Sequence, residues 1–210
     1  MRLSILLVAL LSLFSAGAAS ATIADGARQE WLSRAQFLEK RGDWPALLEL
    51  GRQWTLADGD DPLAWFILGR AYGGMKRHFD AISAYQQNLR LDPGDVLARY
   101  NLANAYRESQ RYRDALHAYR EAVRGNPDFI PAWRNFGRTY YTLKGEAGVV
   151  EAIQRLRQVN PELARAWYSL LVEFYRGRDD AAAREAMDLL RKLRPEEVDR
   201  LFALLLDQTR

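Results

Sequence analysis

The sequence predicts an all-α solenoid, a stack of helix-turn-helix units, and three observations predict it. Pro93, Pro127, Pro161 and Pro195 stand 34 residues apart. A second set recurs in phase with them: Ala64, Ala98, Ala132 and Ala166, each followed by Trp65, Arg99, Trp133 or Trp167. Within a unit the apolar residues then fall at three- and four-residue steps, as in Trp65, Leu68, Gly69 and Tyr72, which places them on one face of a helix. A period of this length marks stacked supersecondary units, none of which can bury its apolar face alone.

Met1-Arg2 is a short positive start, Leu3 to Phe14 is apolar, and Ala16-Gly17-Ala18 or Ala19-Ser20-Ala21 offers a small-x-small cleavage site. Residues 1–21 therefore read as a secretory signal peptide. The rival is a retained anchor, since no charge falls between Leu3 and Ala24, but the strongly apolar part is too short to span a bilayer. The expected location is periplasmic with the leader cleaved; the alternative is an inner-membrane anchor facing the periplasm.

A degenerate unit covers 28–61, with Trp31, Ala35, Leu38 and a turn at Gly42-Asp43-Trp44. Full units follow over 62–95, 96–129, 130–163 and 164–197. In the first of these, Ala81, Tyr85 and Leu89 form a second stripe that pairs with the first as an antiparallel hairpin, and Gly69 lets the two helices come close. Gly73-Gly74 is expected to end the first helix in the left-handed conformation. Asp92-Pro93, Asn126-Pro127 and Asn160-Pro161 end the units, because the residue before proline disfavours helix. After Pro195, over 196–210, Val198, Leu201, Phe202 and Leu205 share a face and predict a helix that caps the open end. Leu204 and Leu206 widen its apolar arc beyond what capping needs.

In the unit from Pro62 to Asp95, the order Trp65, Leu68-Gly69, Tyr72, Ala81, Tyr85, Pro93 resembles the tetratricopeptide-repeat pattern with every slot filled. The next unit offers Leu102-Ala103, Tyr106, Ala115, Tyr119 and Pro127; the third has Trp133, Phe136-Gly137 and Tyr140, then Val149 and Ile153 where alanine and an aromatic are usual. The fourth has Trp167, Leu170, Phe174, Ala183, Met187 and Pro195. The resemblance implies a right-handed α-solenoid whose first helices line a concave groove that holds a peptide or loop of a partner protein. In that geometry the groove residues are Phe66, Arg70, Tyr100, Asn104, Arg107, Arg134, Asn135, Arg138, Tyr141, Arg165, Tyr168 and Tyr175. Five are arginines interleaved with aromatics, a mixture found at interaction hot spots, and arginine forks bind carboxylates bidentately. An acidic segment or a C-terminal carboxylate is thus the expected ligand. Some members of the family clamp that carboxylate with an Asn/Lys-Asn-Lys/Arg set spread over three units. Asn104, Asn135 and Arg165 fall in that register, but Tyr100 stands where lysine, and Ser169 where arginine, would complete it.

Chemistry beyond binding has little to work with. The chain has no cysteine and two histidines, His78 in an expected interhelical turn and His117 outside the apolar stripe. No metalloprotease, nucleophile-elbow, phosphate-loop or dinucleotide motif occurs. Neither catalysis nor a cofactor or metal is expected. Lys+Arg 30 against Asp+Glu 27 leaves +3, which is no nucleic-acid footprint. The expected role is a non-catalytic interaction scaffold of the bacterial cell envelope. The alternative is a structural assembly subunit or homodimer formed through the terminal units. Exported members of the family serve cytochrome maturation, pilus or secretion assembly, outer-membrane biogenesis and polysaccharide export, and nothing in the sequence selects among these. Arg120 lies on an outer helix, so Arg120→Glu is expected to do little to partner capture.

Overall fold

A computed structural model of the chain describes residues 26–169, 188–190, 192 and 195–206. The leader at 1–21, and Leu170, Phe174, Tyr175, Ala183 and Met187 of the fourth unit, lie outside the described residues. The helices run in chain order: α1 (residues 26–41), α2 (Trp44–Ala57), α3 (Pro62–Gly74), α4 (His78–Leu91), α5 (Val96–Glu108), α6 (Tyr112–Gly125), α7 (Ile130–Val159), α8 (Pro161–Tyr168) and α9 (Pro195–Leu206). Consecutive helices pack against one another from α2 to α8, and α3 also meets α5 as α5 meets α7. That contact pattern is an all-α solenoid.

Helix starts follow from the acidic and amide residues before them. Asp43 accepts from Ala46 N at 3.2 Å, Asp61 from Leu63 N at 3.0 Å and Asp95 from Ala98 N at 2.9 Å. Asn160 accepts from both Glu162 N and Leu163 N at 3.1 Å. Each cap satisfies an amide that the helix leaves unpaired and contributes about 1 kcal/mol. Asp61 is itself buried and takes a 2.8 Å ion pair from Arg28 Nε, which ties α1 to the start of α3.

The reversals inside the hairpins carry a repeat of their own. Gly42 (φ 67°), Lys76 (φ 58°) and Gln110 (φ 62°) adopt the left-handed conformation, again one period apart. The expectation that Gly73-Gly74 would supply it is corrected here: both glycines lie within α3, and the left-handed residue is Lys76. Gly74 has a packing reason instead, since a Cβ there would stand 2.2 Å from Trp44 Cδ2. Each of the next two turns is braced by an arginine. Arg77 stacks over Tyr72 at 4.6 Å and pairs with Asp80 at 2.8 Å; Arg111 stacks over Tyr106 at 4.6 Å and pairs with Asp114 at 2.7 Å. The third hairpin lacks this brace, and its chain reverses at Gly145 (φ 66°, ψ −176°), a conformation essentially confined to glycine.

Between hairpins, one hydrogen bond sets the register. Trp65 Nε1 donates to Gly59 O at 2.8 Å and Trp133 Nε1 to Pro127 O at 2.9 Å. Arg99, the odd residue in the tryptophan position, makes the equivalent bond from its guanidinium to Pro93 O. Acceptors and donors are each one period apart. Trp133 and Trp167 are fully buried, whereas Trp65 and Tyr72, expected on the core stripe, are half-buried. The core itself runs through Trp54, Leu47, Ala64, Leu68, Ala81, Tyr85, Tyr119, Phe136 and Trp133. Val149 and Ile153 are buried in the positions where the third unit departs from the repeat pattern.

Helix α9 lies against α6 and α7. Phe202 stacks on Trp133 at 5.6 Å and meets Phe136 edge-on at 4.8 Å, while Asp199 pairs with Arg120 at 3.2 Å and Arg124 at 3.6 Å. The surface it covers thus includes the second and third units. Arg120 therefore helps hold α9 to α6.

Two outcomes test this packing. Gly73 has nothing within 4 Å of a would-be Cβ, whereas Gly69 would set one 2.6 Å from Tyr85 Cε1. Gly73→Ala should raise unfolding stability by about 0.5–1 kcal/mol through helix propensity. Gly69→Ala and Gly74→Ala should each lower it by about 1–3 kcal/mol through overpacking, read from urea denaturation. Separately, Arg120→Glu should set a carboxylate against Asp199 and lower the melting temperature, and adding Asp199→Arg should restore it. The pair itself is partly exposed and contributes about 0.2–1 kcal/mol, so the like-charge variant should move more than Asp199→Asn.

Candidate functional site

The first helices α3, α5 and α7 stand side by side, and the clefts between them form the candidate site. Between α3 and α5 lies a cavity of about 230 Å³ lined by Trp44, Arg70, Gly73, Gly74, His78, Tyr85, Asn101, Asn104, Ala105 and Glu108. Its width owes much to Gly73, since a side chain there would stand in open space. Tyr85 lies flat against Gly69 and meets Phe66 edge-on at 6.0 Å; one unit later Tyr119 meets Tyr100 at 6.0 Å. These aromatic pairs back the groove. Burial raises the Tyr85 and Tyr119 phenols well above their ordinary range, opposed in part by Arg70 and Arg107 respectively. The Tyr140 hydroxyl is pushed up to about 12, first by burial and then by Glu151.

The charges are less one-sided than the repeat geometry predicts. Arg70 pairs with Glu39 of α1 at 2.9 Å, and Arg107 pairs with its neighbour Glu108 at 2.7 Å. Both acids escaped the sequence reading, Glu39 because it sits in the degenerate first unit and Glu108 because it falls one residue past the groove positions. Trp44, His78 and Asn101 were missed as well. Trp44 and His78 come from second helices, and Asn101 lies between the positions counted.

Asn104 and Asn135 do come together. Asn135 Nδ2 donates to Asn104 Oδ1 at 2.9 Å and to Tyr100 OH at 3.0 Å, while Tyr119 OH donates to Asn104 Oδ1 at 2.5 Å. The two amides expected to clamp a carboxylate thus bond to each other and to two tyrosines, one being the Tyr100 that replaces lysine. Their network joins α5, α6 and α7. Of the remaining expected residues, Phe66 and Tyr141 are half-buried, Arg134, Arg138 and Arg165 are exposed, Tyr168 on α8 is 45% exposed, and Tyr175 lies outside the described residues. Among the described residues no group of three His, Asp or Glu side chains could hold a metal, and no helix is long and apolar enough to cross a membrane.

Residues 74–136 match the Tetratricopeptide repeat family, so this part of the solenoid is built of tetratricopeptide repeats. Among solved structures it is similar to the crystal structure of MamA, at 19% identity and a TM-score of 0.53, over 83% of this chain and 94% of that one. MamA 41-end from Desulfovibrio magneticus RS-1 is similar at 18% identity and a TM-score of 0.54, over 87% of this chain and 96% of that one. At such identities the likeness shows the fold. No curated protein matches the sequence.

The buried phenols set a pH limit. A folded-state pKa above the unfolded value of about 10 means the contribution is intact below pH 10 and is lost as pH rises through the folded value. Stability should therefore be level from neutral pH to about 10 and fall toward pH 12. Absorbance at 295 nm should show a group of tyrosines that ionises only as the helical signal is lost.

Proposed function

We propose that this chain is a non-catalytic interaction scaffold whose concave groove, between α3, α5 and α7, holds an extended segment of a partner protein. Tetratricopeptide-repeat proteins bind protein partners and are generally non-catalytic, which supports the coarse reading. The observation that carries the finer one is the cleft of about 230 Å³ between α3 and α5, walled by half-buried polar side chains, among them Arg70, Asn101 and Asn104, over an aromatic floor. Polar groups that are fixed but not fully buried can hydrogen-bond a backbone, and the aromatics supply rigid contact area.

The leader pattern at residues 1–21 supports a place outside the cytoplasm, in the periplasm of a bacterial envelope, with the leader removed. A second reading, assembly through the ends of the solenoid, is favoured by Leu56 at 89% and Phe37 at 56% exposure on the first unit. It would make a homodimer or a fixed subunit of a complex, with the groove secondary.

Photo-crosslinking separates these. A benzoylphenylalanine at Asn101, produced with the native leader in a bacterial host, should yield a discrete adduct with an envelope protein and a mature chain starting near Ala19 or Thr22. The same probe at the exposed His117 of α6 should yield none. Adducts from Leu56 with none from Asn101 would replace the groove by the terminal assembly.

A further inference from the structure

A second cleft opens beside the first, and its chemistry differs. It has a volume of about 240 Å³ and is lined by Arg107, Glu108, Tyr112, Arg138 and Thr142, from the end of α5, the start of α6 and the first half of α7. Glu108 lines both clefts, so a segment lying in the first reaches the second past this one side chain.

The guanidinium of Arg107 is only partly used. One of its terminal nitrogens contacts Glu108 Oε1 at 2.7 Å, but its Nε is buried with no hydrogen-bond partner among the described residues. An Arg fork offers Nε–H and a terminal N–H in parallel, the geometry that a carboxylate fills with two oxygens. Glu108 follows Arg107 directly in sequence, is 52% exposed at its side chain, and engages one edge of the fork. Arg138, across the cleft, is exposed and makes no ion pair with a described residue. Two cations thus face one cleft whose single acid is a tethered carboxylate in an incomplete pairing. Tyr112 OH has no described partner, and Thr142 Oγ1 donates to Arg138 O at 2.9 Å while keeping its lone pairs.

We infer that the Arg107–Arg138 cleft is the carboxylate subsite of the groove, and that Glu108 is an internal stand-in that an acidic side chain of the bound segment displaces. This rests on the groove being the peptide site. It moves the acid-recognising role away from Asn104 and Asn135, whose facing polar atoms are already engaged with Tyr119 and Tyr100. A ligand carboxylate would complete the fork on Arg107 and gain a second cation from Arg138. Glu108 would swing to solvent, at little cost for a side chain already half exposed.

The test uses the isotope-labelled full chain and two synthetic probes, hexaglutamate and hexa-asparagine, with the Arg107 Nε–H resonance as reporter. Hexaglutamate should shift that resonance saturably and hexa-asparagine should not. Arg138→Gln should weaken hexaglutamate binding about tenfold, as expected for loss of a charge-assisted contact. Glu108→Gln should tighten it severalfold, a gain that misfolding cannot produce. The inference is overturned if hexaglutamate binds both variants as it binds the parent chain, or leaves the Arg107 Nε–H resonance unmoved at millimolar concentration. In either event, adducts from Asn101 would still uphold the groove, and their absence would remove the groove independently of this subsite.

Discussion

Everything above the level of a single hairpin depends on a seam bond between units. A helix pair with a sticky face can slide along its neighbour, because apolar contact is non-directional. The bonds from Trp65 to Gly59 O, from Arg99 to Pro93 O and from Trp133 to Pro127 O fix one height of stacking. Tryptophan suits this because its ring fills the seam while one N–H points at one carbonyl. Arginine at position 99 shows which property is the constraint: the donor is retained where the ring is not. Once height is fixed, α3, α5 and α7 align, and the clefts between them follow.

The groove is shaped by the same economy of small and large residues. Gly69 admits Tyr85 against the backbone of α3, Ala103 stands in the equivalent place, and Tyr119 there carries the hydroxyl that reaches Asn104. A core aromatic of one helix thereby becomes the anchor of a polar network on the groove side. Asn88 plays a related role behind it, donating to Pro62 O at 2.9 Å and Asp95 at 3.2 Å, so that the cap of α5 is held from α4. Binding surface and stacking core are thus two sides of one layer, and a change at Tyr119 would be felt in both.

How much of this was legible in the sequence follows from which interactions have a period. The hairpins, the stripe containing Leu68 and Gly69, and the Pro93 and Pro127 boundaries repeat, so counting by 34 finds them. The Arg77–Asp80 and Arg111–Asp114 braces repeat too and went unread, because family slots draw the eye to apolar residues. Lys76 was hidden for a different reason. Glycines beside it make the better left-handed candidates by propensity, yet Trp44 claims the space that a side chain at Gly74 would fill. Glu39, Glu108 and the Asp199 contacts have no period at all. They join residues far apart in the chain, or one step off the expected slots, and only the folded geometry brings them to the groove or to α6.

The third unit shows how a repeat changes when its brace is lost. Where Arg77 and Arg111 stand in earlier turns, the third has Gly145, and where Asp80 and Asp114 stand it has Gly148. No cation among the described residues covers Tyr140, which is instead almost fully buried and meets Trp167 of the next unit at 6.2 Å, nearly perpendicular. The junction that follows is also shortened: a single residue, Asn160, ends α7 and caps α8, and Pro161 opens the new helix. In the earlier units that position, Gly59, Pro93 or Pro127, sits in a loop and its carbonyl accepts the seam bond. Here the proline belongs to α8, its carbonyl turns into helix bonding, and Trp167 Nε1 is left buried with no partner among the described residues. Register at this junction therefore passes from a directed hydrogen bond to aromatic packing, with Phe136 holding Trp167 at 5.5 Å and Phe202 at 4.8 Å. Helix α9 adds to the same cluster from the other side: its Phe202 packs on Phe136, the ring that also meets Trp167, and on Trp133.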